Sequence, residues 1–281
     1  MSLLIVNADD FGLTSGVNRA ILELYRSGVV TSASLMARGA ATEEAFALGL
    51  STPSLGVGCH VALVDGDSVL PWREIPTLVR EATGRFQPTL GAFLKRLLAG
   101  RIRSSEIEAE AAAQIALIQS KGLALTHIDT HKHTHIFPAV LRPVLRAARA
   151  AGIRAVRNPF EPDWSLRATP RAPWMRRLEV SLLRRFEPAF QRIVAEEGFR
   201  TTDGAIGVLA TGSIDSKAVK SILFGIQPGT WELVTHPGYN DSDLAKAGTR
   251  LLASRETERS ALESLQRFPG IELISFADLG G

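Results

Sequence analysis

Four strand-length stretches of this 281-residue chain each end in aspartate or histidine. Leu3-Leu-Ile-Val6 runs into Asn7-Ala-Asp9-Asp10, Leu55-Gly-Val-Gly-Cys59 into His60, and Trp231-Glu-Leu-Val-Thr235 into His236. The fourth stretch, Thr126 to His135, holds the other four of the chain's six histidines. Carboxylates and imidazoles at the ends of separate strands are what a metal-dependent site on an α/β scaffold requires. Six histidines scattered at random would rarely gather in three such places.

The rest of the chain supplies the matching helices. Apolar runs alternate with 3.6-period patterns, which predicts βαβ units around a mostly parallel sheet. Strands are expected near 3–8, 30–36, 55–63, 125–130, 153–157, 205–209, 230–235 and 271–276. Helices are expected from Ser15 to about Gly28, and over 42–50, 90–98, 105–121, 138–151 and 215–224. A polar helix from Asp241 to Arg267, broken near Gly248, completes the series. Ser105 with Glu108 has the spacing of a capping box. The best architecture is a TIM-barrel-like (β/α) barrel, complete, incomplete or distorted. One domain over 1–281 is the simplest organisation, with irregular excursions at about 65–103 and 164–198 that suit lids or substrate walls.

Bulk properties narrow the function. Net charge is +3, with no nucleic-acid-binding signature beside it. Cys59 is the lone cysteine, so no internal disulfide can form. The N-terminus lacks a basic signal-like segment, and no apolar run approaches the ~18 residues of a membrane span. A cytoplasmic location is the expectation. The segment Arg167–Arg192 carries seven arginines against two glutamates, with Trp174, Leu178, Leu182 and Phe186 recurring every four residues. The ordinary reading is an amphipathic helix packed on the body with its basic face in water. Peripheral contact with a membrane surface or a second subunit is the minority reading.

The four clusters divide into chemical roles. Of Asp9 and Asp10, one can bind a cation while the other stays free as a general base. The alternative, that one caps the next helix, is weakened because Thr14 or Ser15 can do so. Period two places Cys59 and His60 on opposite faces, so a Cys–His dyad is not expected, and the plain alternative for His60 is a satisfied core histidine. His127, Asp129, His131, His133 and His135 alternate and would span about 26 Å if extended, so they cannot share one ion. The strand must therefore end near His131, which becomes the natural ligand. Asp129 then orients a ligand or binds substrate, and His133 and His135 form pocket wall on the following loop. The bland alternatives are an adventitious metal tract or a solvated loop. His236 is fixed at a strand terminus by Pro237-Gly238, in a structural or a catalytic role. Arg157 can reach a carboxylate of the pocket.

Asn7-Ala-Asp-Asp-Phe-Gly12, Gly58-Cys-His60 and His127-Ile-Asp-Thr-His-Lys-His-Thr-His135 resemble the signatures of the YdjC-like carbohydrate deacetylases. That group includes chitooligosaccharide and hopanoid-associated deacetylases. The match covers roughly 1–160, with Val30–Met36 also similar and His236-Pro237 a later anchor. The resemblance implies a barrel-like fold and one divalent ion, Mg2+ or Zn2+, on Asp10, His60 and His131. It implies Asp9 as general base and His236 as proton donor or oxyanion partner. The implied reaction removes an N-acetyl group from an amino sugar, as an oligosaccharide or on a glycolipid, and leaves a homodimer open. Rival readings are a phosphoesterase or other metal hydrolase on the same scaffold, a sugar isomerase or epimerase, and a non-catalytic sugar- or metal-binding protein.

Overall fold

The computed structural model describes residues 1–81, 83–169, 173–265 and 269–280. Its strands are β1 (Ser2–Phe11), β2 (Ser32–Leu35), β3 (Gly56–Val61), β4 (Val79–Arg80), β5 (Arg85–Phe86), β6 (Ile128–Thr130), β7 (Gly204–Ile206), β8 (Gly229–Thr235) and β9 (Ile271–Leu273). Its helices are α1 (Ser15–Arg26), α2 (Thr42–Ser51), α3 (Leu90–Leu98), α4 (Ser104–Ser120), α5 (Pro138–Ala150) and α6 (Asp163–Ala168). They continue with α7 (Trp174–Leu183), α8 (Glu187–Glu196), α9 (Ser216–Phe224), α10 (Ser242–Lys246) and α11 (Ala253–Glu263).

The main sheet runs in the order β6-β3-β2-β1-β8-β7, with β9 also on β1 and every pairing parallel. It curls into an incomplete TIM-like barrel flanked by helices. The expected strand at 153–157 is reduced to single parallel bridges, Ile128 to Val156 and Ala155 to Arg200. These bridges, with the Ala205 amide donating to Phe160, span the gap between β6 and β7. Parallel strands buried on both faces need apolar residues outward as well as inward. Hence Val6, Ala8, Ala33, Leu35, Val57, Cys59 and Leu233 all join the main core under the helices. Ile5, Ala155 and Phe276 form a small apolar plug of their own.

Local chemistry sets the helix ends. The Thr14 hydroxyl accepts from the Val17 amide at 3.2 Å, and Asp215 does the same for Ala218 at 2.8 Å. Gly28 and Gly152 follow α1 and α5 in left-handed conformation, where glycine carries no Cβ penalty. The polar C-terminal stretch breaks as anticipated, with Gly248 at φ 69° between α10 and α11. Arg267, the expected end of that helix, lies outside the described residues.

Two expectations fail. The Ser105–Glu108 capping box does not form, because α4 starts at Ser104 and no side chain caps it. Glu106 instead turns to accept from the Thr77 amide and hydroxyl, each at 2.7 Å, tying α4 to the 65–103 excursion. The arginine-rich helix forms as α7 but lies the other way round. Arg176 donates to the Val208 carbonyl and Arg177 to those of Leu166 and Thr169, so polar contacts dock the helix; Trp174, Leu178 and Leu182 of the stripe face water, while Phe186 packs on Phe137.

Candidate active site

Asp9 and Asp10 both reach the C-terminal mouth of the barrel because β1 is irregular there. The β1–β2 register shifts between Ala8 and Phe11, and Asp10 takes φ 64°. A bulge re-aims a side chain that strict alternation would send outward, and aspartate tolerates the left-handed region better than most residues. On β3, Gly58 and His60 share the inward face. His60 sits in register with Asp129 of β6, and its Nδ1 lies 2.9 Å from both Asp129 carboxylate oxygens. β6 stops at Thr130, and Lys132 and His133 turn the chain with φ of 57° and 51°. That turn folds His131 back over the mouth.

Three side chains converge as a result. Asp10, His60 and His131 each offer one atom, all within 4.8 Å of one another. His60 Nε2 lies 3.2 Å from His131 Nδ1 and 3.6 Å from Asp10 Oδ1, and His131 Nδ1 lies 3.4 Å from the same oxygen. Asp10 Oδ1 is buried and has no hydrogen-bond partner among the described residues. With Nδ1 of His60 engaged by Asp129, Nε2 is the ring nitrogen left facing this oxygen. A carboxylate oxygen and two imidazole nitrogens that converge in this way suit a cation, and a histidine ligand steadied by a carboxylate behind it is the usual supporting arrangement. Asp10 is held well below the ordinary carboxylate range: burial would raise it, but Arg255 and then His131 outweigh that. Burial would likewise lower His60, yet Asp129 and Asp9 raise it to about 9, so the pocket attracts positive charge.

A second, drier layer lies behind the trio. Arg157 is fully buried and donates to Asp9 at 2.6 and 2.9 Å, to Glu232 at 2.8 Å, and to Asp129. Asn7 Nδ2 donates to Asp9 Oδ1 at 2.9 Å and to Ser34 at 3.0 Å. Opposite them, His236 Nε2 stands 3.7 Å from Asp9 Oδ2, while its buried Nδ1 has no hydrogen-bond partner among the described residues. Burial pulls His236 down to about 4, so the resting imidazole is neutral. Its amide donates to Glu258 Oε1 at 2.8 Å, and burial raises Glu258 to about 8. Burial also pushes Glu232 up to about 7 against the pull of Arg157.

The remaining histidines are placed differently from one another. His133 is half-buried near the mouth, its ring 6.2 Å from that of His135. His135 is buried, with Nδ1 2.8 Å from the Thr130 hydroxyl and Nε2 3.2 Å from the Arg157 carbonyl, so it braces the segment that carries Arg157. His127 lies deep in the barrel, stacked on Phe276 at 3.9 Å and bonded to Ser34 and Thr126. It lies away from the converging trio. Cys59 packs outward in the core, and burial raises its thiol.

His127 explains the first glycine of Gly58-Cys-His60. A Cβ at Gly58 would meet the His127 ring at 2.4 Å. Gly58→Ala is therefore expected to cost about 3 kcal/mol, read as a lowered urea midpoint at unchanged slope. An unchanged midpoint would mean that His127 can swing aside freely.

The same buried rings predict acid sensitivity. Burial lowers His127 to about 3 and His135 to about 4. In the unfolded chain both titrate near 6.5. Below that pH the unfolded state binds protons that the native state refuses, so stability present above 6.5 is lost as pH falls toward 4 and 3. At pH 5 the loss is roughly 2 kcal/mol per residue. Denaturation of wild type and of His127→Gln between pH 7 and 4.5 should show a flatter pH slope in the variant; parallel slopes would refute the assignment.

Sequence reasoning did not single out Glu232, Glu258, Arg255 or the bonding of Asn7. Arg255 of α11 is buried and its Nη2 donates to Asp10 Oδ2. Glu232 had a legible signal, since a carboxylate within an apolar strand, two and four residues before inward positions Val234 and His236, must face the barrel interior. Arg255 had none, being one of several charges on a polar helix.

Comparison with known proteins supplies relatives. The family model described as YdjC-like protein matches residues 3–267. A carbohydrate deacetylase of Brevibacillus brevis is 31% identical, spanning 99% of this chain and 99% of its own length. One from Homo sapiens is 32% identical over 84% of this chain and 75% of its own length. A crystal structure from Enterococcus faecalis V583, named for cellobiose-phosphate cleavage, superposes with a TM-score of 0.78 at 24% identity, covering 99% of this chain and 98% of that one. At that identity the likeness is one of fold.

Proposed function

This chain belongs to the YdjC-like family, and on that footing we propose that it is a metal-dependent carbohydrate deacetylase that hydrolyses the N-acetyl group of an amino sugar. The observation that carries the metal is the convergence of Asp10, His60 and His131 on one point, with Asp10 Oδ1 left unpartnered. The electrostatics agree, since Asp129, Asp9 and Asp10 draw positive charge onto the buried His60, a charge that a bound cation would displace. An oxygen and two imidazole nitrogens suit zinc by type, and a three-ligand set leaves room for water and substrate.

A divalent ion held there supplies Lewis acidity, polarising the acetyl carbonyl and acidifying a water. The protein's own residues move the protons. Asp9 accepts the proton of the attacking water, while Arg157 and Asn7 hold its carboxylate in a single orientation. His236, neutral at rest and next to Asp9, receives that proton and passes it to the departing amine nitrogen. Arg255 keeps the second oxygen of Asp10 occupied, so Oδ1 is the oxygen that would hold an ion.

A two-metal phosphoesterase fits less well. Its second ion would need Asp9, His60 and Asp129, which also lie close together. Arg157 already occupies the space between Asp9 and Asp129, and His60 uses Nδ1 on Asp129. The deciding experiment strips the protein of metal, restores zinc or magnesium, and measures acetate release from N-acetylated amino sugars, chitooligosaccharides and a glycolipid-linked sugar among them. Metal-dependent release from any of these supports the reading. No release with metal demonstrably bound would overturn it.

A further inference from the structure

The apolar stripe of α7 points into water. Trp174 is 73% exposed, Met175 66%, Leu178 52% and Leu182 47%. At helical spacing these four fall within about a 100° arc, one continuous face. The opposite side is the docked side: Val180 is the helix's buried apolar residue, and Arg176 and Arg177 bond to backbone carbonyls of the body. A helix that turns its hydrophobic face outward is a contact surface, since scattered exposed apolar residues do not form such a stripe.

Charge and position say what covers it. Around the stripe, Arg167–Arg192 carries seven arginines against two glutamates, more positive charge than the whole chain's net +3. Arg176 and Arg177 belong to the docked side and Arg184 and Arg192 pair with carboxylates, whereas Arg167 and Arg185 are exposed and form no ion pair among the described residues. The helix also adjoins the mouth. Arg176 bonds to Val208, two residues past β7, and Phe186 packs edge-on against Phe137 at 5.1 Å, just after the histidine turn. A second copy seated face to face would set this positive segment against itself. An anionic lipid surface instead meets apolar side chains with acyl chains and arginines with headgroups.

We propose that α7 docks this protein onto anionic membranes, with Trp174, Met175, Leu178 and Leu182 entering the interface and Arg167 and Arg185 engaging headgroups. The test is co-sedimentation of the whole chain with vesicles of phosphatidylcholine alone and of equimolar phosphatidylcholine and phosphatidylglycerol. Binding is expected to the anionic vesicles, weakened by salt, and reduced by more than about tenfold in Trp174→Ser/Leu178→Ser. Both substitutions are at exposed sites, and an unchanged circular dichroism melt confirms the fold. Three results would overturn the proposal: no binding to anionic vesicles, equal binding by the variant, or a dimer by sedimentation velocity that the variant abolishes while vesicles stay empty. None of these readouts depends on turnover, so the outcome is independent of whether the deacetylase reading holds.

Discussion

Purified Asp10→Asn protein is expected to hold no stoichiometric metal and to release acetate at the background rate, whereas Asp9→Asn keeps its metal and loses about 10³-fold in turnover. The two neighbours differ because the bulge in β1 gives them separate surroundings. Asp10 shares its free oxygen with His60 and His131, so an amide there removes the only anionic donor of the trio. Asp9 shares its oxygens with Arg157 and Asn7, so asparagine preserves the shape and removes the base. His131→Ala should behave like Asp10→Asn. Elemental analysis of the purified proteins beside an acetate assay reads both halves. If Asp9→Asn also came out metal-free, or retained full turnover, the division of labour would be wrong.

Arg157→Met should be the most damaging substitution for stability, at about 3–5 kcal/mol. The guanidinium is fully buried and serves Asp9, Asp129 and Glu232 together. Removing it leaves Asp9 and Asp129 in the barrel interior without their guanidinium counter-charge. Lysine is no remedy, because one ammonium cannot replace a planar fork that reaches three partners. Asp9→Asn in the same chain should recover part of the loss by deleting one of the stranded charges. Urea denaturation of the single and double variants measures this; a double variant no more stable than the single one would show that the damage comes from lost packing and not from unpaired charge.

Much of this was legible in the sequence because it follows from period and punctuation. Apolar runs ending in aspartate or histidine placed the strands and the mouth, and alternation through His127–His135 required a strand end near His131, which the turn at Lys132 and His133 supplies. The thinning of 153–157 to single bridges was not legible. Ile153 to Val156 looks like any strand, and only the geometry of closure decides how long a stave can pair. The orientation of α7 was misread for a related reason. A helical wheel shows two faces but not which one the body receives, and here three carbonyls beside Val208, Leu166 and Thr169 received the arginines. Arg255 was invisible because its partner lies 245 residues away.

That distance has a consequence for how the protein is made. Asp10 is synthesised long before Arg255 on α11 and before Phe276, which stacks on His127. Until α11 is synthesised, Asp10 has neither its counter-charge nor a fixed orientation, and the floor under His127 is open. The geometry that brings Asp10, His60 and His131 together is therefore complete only once α11 is in place. An ion that needs this geometry could be taken up only after α11 is made.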